Sequence, residues 1–269
     1  MEPRRVARRV PPETTLRVAG CEVRLLGTVA GFSPDGARVE AALAAGPVTR
    51  VALGVPPEDL PGIALLAEAV DPAALLGAHE QPLPKGAKYA VLTGGQQTAS
   101  SPLHPAPADP IPDDGDPSRF AGLDAATAHF LDLLRRFGPV SAASPDLLAA
   151  HRGAERLGVP LDAIDLDDHA HTAATTKAVG LFGLRGRAKT ERRILTLGFA
   201  EGSDAYDLAL RFDAERNGTR GQRRVEAARE AHMADQLVAL AAQTVGGRIV
   251  AILPAARFAG VVERLSAKR

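Results

Sequence analysis

The sequence predicts an α/β domain: a mixed, largely parallel sheet flanked by helices, with a helical insertion. Three observations predict it. Short apolar strands alternate with helical stretches along the first third of the chain. A long amphipathic helix then leads into a strongly apolar strand near the end. No internal repeat divides the sequence, and 269 residues suffice for one sizeable core.

Residues 1–14 are rich in Arg and Pro and read as a flexible basic arm. Residues 15–97 read as the first half of the α/β domain. Leu16 and Val18, then Val23 and Leu25, alternate around Gly20, which predicts a hairpin or two short strands. Residues 33–45 read as a helix, with Ser33 as candidate N-cap, Pro34 in the first turn and Gly46-Pro47 as the stop. Arg50 to Val55 reads as a strand closed by Pro56-Pro57, residues 58–77 as helix broken by Pro61 and Pro72, and Lys88 to Thr93 as a further strand.

Residues 98–121 form a Pro-rich linker or insertion with almost no large apolar side chains to offset chain entropy. Residues 122–269 complete the same domain with a helical section, a closing strand and a closing helix. Helices are expected over 123–137 and 145–157, a short strand over Leu161 to Leu166, and helical stretches over 172–216. Residues 222–244 put Met233, Leu237, Leu240 and Ala241 on one helix face. Arg248 to Leu253 reads as a strand, and Ala259 to Ser266 as the last helix.

Composition narrows the function classes. Lys plus Arg and Asp plus Glu both number 32, so no global charge favours nucleic acid or a membrane surface. Cys21 is the one cysteine, which excludes an intrachain disulfide and fits a reducing compartment. The basic N-terminus has no apolar stretch behind it, and no run of about 18 apolar residues occurs. A cytoplasmic protein without membrane insertion is expected.

Five segments, taken in order, resemble TraB-like proteins. Val23-Arg-Leu-Leu-Gly-Thr-Val-Ala30 is similar to an opening strand ending in Gly-Thr-Ala-His; Gly27 and Thr28 match, and Ala30 stands at the histidine. Val51-Ala-Leu-Gly-Val55 resembles Val-Ala-Val-Glu-Leu, with Gly54 at the glutamate. The stretch from Asp146 to Gly158, followed by Ala163-Ile-Asp165, resembles a helix-then-strand unit ending in Ile-Asp-Arg-Asp. Asp146 replaces its glutamate, Asp165 and Asp167 match, and Leu166 replaces the arginine. Ala228-Arg-Glu-Ala-His-Met-Ala234 resembles Glu-Arg-Asp-x-x-Met-Ala: Arg229, Met233 and Ala234 match, while Ala228 and Glu230 replace its acids. Ile249 to Gly260 resembles the closing strand and a Gly-x-Gly-His-x-x-Gly loop, with Arg257 at the histidine and Gly260 matching.

The resemblance spans residues 22–266 apart from the Pro-rich insertion. It implies the fold of the wider TraB, Tiki and erythromycin-esterase-like group, which includes metal-dependent hydrolases. The departures point away from that activity. Hydrolysis there needs histidines or carboxylates to hold a metal, orient water or move protons. Ala30 and Gly54 offer no such group, and Arg257 stays cationic. The expectation is a catalytically inactive TraB-like protein, a pseudoenzyme that binds or regulates. Gly27, Thr28, Arg229, Glu230 and Arg257 are the candidate ligand-binding residues. A small anion or acidic peptide is the expected ligand, and the Ala-rich helices allow a homodimer.

Two alternatives stand beside it. In the first, a metal-dependent hydrolase keeps a rearranged site with Asp146, Asp165 and Arg229 as catalytic candidates. A divalent metal would then sit on Asp165, Asp167, His169 and His171, whose side chains are ordinary metal ligands. The competing account of that cluster is a solvated helix start whose acids favour the dipole. In the second, residues 185–229, with eleven Arg and Lys against seven acids, contact phosphate or nucleic acid. No aromatic platform accompanies that cluster, so a solvated helical face competes with it.

Overall fold

The computed structural model describes residues 12–69, 125–198 and 203–268, without the side chains of 179–189, 191 and 192. The strand expected over 88–93, the linker at 98–121 and most of the N-terminal arm lie outside the described residues.

Five strands form one mixed sheet: β1 (Glu13–Val18), β2 (Cys21–Thr28), β3 (Arg50–Leu53), β4 (Leu161–Ala163) and β5 (Arg248–Pro254). Their order is β1-β2-β5-β3-β4. The expected hairpin forms: β1 runs antiparallel to β2, and Ala19 and Gly20 turn it at φ 47° and 79°. Two successive positive φ values give a turn whose twist matches that of the strands. All other pairings are parallel, with β5 between β2 and β3. β5 is buried on both faces, which explains its continuous apolar run.

Eight α-helices accompany the sheet among the described residues: α1 (Ser33–Ala44), α2 (Leu60–Glu68, entered through a 3-10 turn at Pro57–Asp59), α3 (Ala125–Leu134), α4 (Pro145–Leu157), α5 (Asp168–Leu195), α6 (Ala205–Arg216), α7 (Arg220–Gln243) and α8 (Ala255–Ser266). One sheet face packs on α7 and α8 through Leu25, Met233, Leu237, Ala251 and Val261. The opposite face packs on α1, α2 and α4 through Leu26, Val39, Ile63, Ala150 and Ile252. A third cluster, including Val29, Phe130, Leu134 and Leu208, seats α3 and α6 over the carboxyl end of the sheet.

Three sequence expectations shift in register. Ser33 is the first residue of α1 rather than its cap; Phe32 holds the cap position with no side-chain bond. Asp35, in the first turn, instead accepts the Val29 N–H at 2.7 Å. β4 ends at Ala163, and the Asp165 N–H goes to the Val55 carbonyl beyond β3. The last helix starts at Ala255, directly off β5. No described helix is long and apolar enough to cross a membrane.

Candidate functional site

Parallel strands leave their carboxyl ends side by side, and α/β sheets bind ligands in the crevice there. Here Thr28 of β2 pairs with Pro254 of β5, and Leu53 of β3 with Ile252. The chain leaves each strand into a different segment, and α3, α4 and α6 close over the gap. The result is a pocket of about 130 Å³ whose lining includes Thr28, Ala30, Gly54, Asp146, Phe212 and Arg257. Val29, Phe130 and Leu131 make much of the remaining wall apolar.

Asp146 is one of the polar groups of that wall, with Thr28, Thr127, Asp213, Arg216 and Arg257. It sits in the first turn of α4, is 3% exposed, and accepts the Thr28 hydroxyl at 2.6 Å on Oδ2. Its Oδ1 has no hydrogen-bond partner among the described residues. Burial pushes its carboxyl up to about 6, and the Asp35 charge adds to the rise. The Thr28 bond and the amides at the helix start oppose it.

Gly54 shows why β3 presents no side chain to the pocket. A Cβ there would lie 2.9 Å from Pro254 Cδ and 3.2 Å from Leu253 Cδ2. The small residue lets β3 and β5 close on each other at the pocket floor.

A buried frame that sequence reasoning missed supports the loop after β2. Asp35 accepts Val29 N–H on one oxygen and both Arg38 (2.6 Å) and the Tyr206 hydroxyl on the other. Arg38 also donates to the Gly27 carbonyl at 3.1 Å. α1, β2 and α6 are thereby tied together. Burial, then the Asp35 charge, raise the Tyr206 hydroxyl well above its ordinary value. An acid in the first helical turn after a strand was the one legible signal for Asp35; Tyr206 had none.

Behind Arg257 runs a chain of ion pairs. Arg257 bonds Glu226, and Arg229 reaches Glu226 at 3.5 Å and grips Asp165 with its Nε, at 3.1 Å from each oxygen, and its Nη2. Arg229 and Asp165 are fully buried. Burial works against the Arg229 charge, but Asp165 outweighs it and holds the guanidinium above its ordinary value. Close by, burial lowers the His171 imidazole, helped by Arg229. Asp59 is pushed up to about 7 by burial and then by Asp168, Glu58 and Asp165.

The expected site residues therefore divide. Thr28, Asp146 and Arg257 meet in the pocket. Gly27 does not line it: a Cβ there would lie 2.6 Å from Pro12 Cγ, so the glycine serves packing. Arg229 and Asp165 hold each other outside it. Glu230 faces Arg264 and packs beneath Gly260. Asp167 caps α5 through the Ala170 N–H, and His169 is exposed. The four proposed metal ligands thus do not converge. No group of three or more His, Cys, Asp or Glu is placed to hold a metal among the described residues. In the pocket itself, Ala30 and Gly54 bring no donor and Arg257 brings a cation, so the donor set does not fit a divalent metal.

Of the 185–229 basic cluster, Arg193 pairs with Glu215 and Arg229 is buried. Arg185, Arg187, Lys189 and Arg192 have side chains outside the described residues. No protein-family model matches the sequence, and no curated protein matches it.

Proposed function

We propose that this chain is a TraB-like scaffold that binds a small molecule at the carboxyl ends of its parallel strands and does not hydrolyse it. One observation carries the reading. Ala30, Gly54, Asp146 and Arg257, four of the positions where the resemblance has histidines or carboxylates, line a single pocket although they are scattered through the sequence. Three of the four hold residues that can neither ligate a metal nor move a proton. A regulatory or binding role in the cytoplasm goes with this reading; the one cysteine of the sequence, Cys21, fits a reducing compartment.

A second reading, a hydrolase with a rearranged site, is favoured by Asp146 alone. A buried carboxyl held near 6 is suited to general-base work. One assay separates the two. Ester and peptide hydrolysis is measured with and without zinc or manganese, beside Asp146→Asn. The binding reading expects no metal-dependent turnover above a heat-denatured control. Turnover that metal stimulates and Asp146→Asn abolishes establishes the hydrolase.

A further inference from the structure

Resting on the pocket reading above, we infer that the ligand's head group is a hydrogen-bond donor, above all a protonated amine, seated on Asp146, and that its body is a small apolar group.

Charge placement argues for the donor. Asp146 is buried, its Oδ2 is used by Thr28, and its Oδ1 lacks a partner among the described residues. The charge acting on it most strongly is that of another carboxylate, Asp35. Of the two cations in the lining, Arg257 pairs with Glu226, and Arg216 lies over the Phe212 ring, 5.9 Å from its centroid. Asp213, a second carboxylate of the lining, also acts on Arg257. An anion seated against Asp146 meets a buried carboxylate, with the half-buried Asp213 as a second acid of the same lining. An ammonium or hydroxyl meets an acceptor with an unused oxygen, and a charge-assisted bond to it is strengthened where water is scarce.

The walls argue for the body. Val29, Phe130, Leu131 and Phe212 are apolar, and Phe130 and Phe212 stack with centroids 4.5 Å apart. A space of about 130 Å³ is close to that of an apolar cavity that takes benzene. The anion expected for Arg229 and Arg257 is replaced by this donor, because both guanidiniums already face carboxylates.

The test uses four probes of one ring size: benzylamine, benzyl alcohol, toluene and benzoate. Each is titrated into the intact protein by calorimetry and ligand-observed NMR. The expected order is benzylamine, benzyl alcohol, toluene, benzoate, with benzylamine at least about tenfold tighter than toluene. Asp146→Asn should bring benzylamine down to the affinity of benzyl alcohol while toluene changes little. The isostere comparison in the unsubstituted protein holds whether or not that variant folds. Toluene binding as tightly as benzylamine, or benzoate binding tightest, overturns the donor head group and leaves the pocket reading standing. If none of the four binds, the pocket reading fails as well.

Discussion

Thr28 and Asp146, 118 residues apart in sequence, share a 2.6 Å hydrogen bond inside the protein. It joins the end of β2 to the start of α4 and leaves the other carboxylate oxygen without a hydrogen-bond partner among the described residues. A buried carboxylate with an unpartnered oxygen is costly to keep. Such a group is a common mark of a functional site.

Replacing Thr28 with Val keeps the shape and removes that bond. Losing one partner of a buried acceptor costs about 1–3 kcal/mol. Chemical denaturation should show the midpoint fall by a corresponding amount, with an unchanged slope.

Asp146 should also make stability depend on pH in a defined sense. Its folded value, about 6, lies above the ordinary 3.8, so the folded state takes the proton more readily. Its contribution is fully present below 3.8 and is lost as pH rises through about 6. Relative to Asp146→Asn, the unsubstituted protein should gain about 1 kcal/mol between pH 8 and pH 5. Asp59, pushed to about 7, acts in the same sense in both proteins and cancels from the difference.

Gly54→Ala tests the closeness of β3 and β5. The added carbon would sit 2.9 Å from Pro254 Cδ, so one strand must move. Overpacking of this kind costs about 1–3 kcal/mol. Gly54→Glu, which restores the carboxylate of the resemblance, should lower the melting temperature further and yield no hydrolysis.

Arg229→Met leaves Asp165 buried without its partner. Breaking such a pair costs about 3–5 kcal/mol. Adding Asp165→Asn keeps the acceptor for the Leu166 N–H and removes the stranded charge. The double variant should regain much of the loss in a thermal melt, the sign of a pair that serves structure rather than ligand.

Most of the secondary structure was legible because apolar periodicity and Pro or Gly stops survive without tertiary context. The run of β5, the alternation of β1 and β2 and the apolar stripe of α7 are of that kind. Ser33 misled because a cap depends on where the chain enters the helix, and Asp35 two residues on took over the bonding. Thr28, Asp146 and Arg257 were legible as candidates because each flanks a strand end or helix start. Arg229 was legible as a buried-face arginine, but no pattern on one helix reveals that Asp165 occupies it. The His-x-His cluster looked like a ligand set in sequence, yet its acids serve a helix cap and an ion pair. The contact between Asp35 and Tyr206, 171 residues apart, had no sequence signal.

The most direct test of the central claim is to map ligand binding residue by residue, by amide shift perturbation during a benzylamine titration. The account expects saturable shifts concentrated at Ala30, Gly31, Val55 and Ala256 around the pocket, absent from the region of His169 and His171. Saturable shifts at those histidines on adding zinc, together with none around the pocket on adding benzylamine, would contradict it.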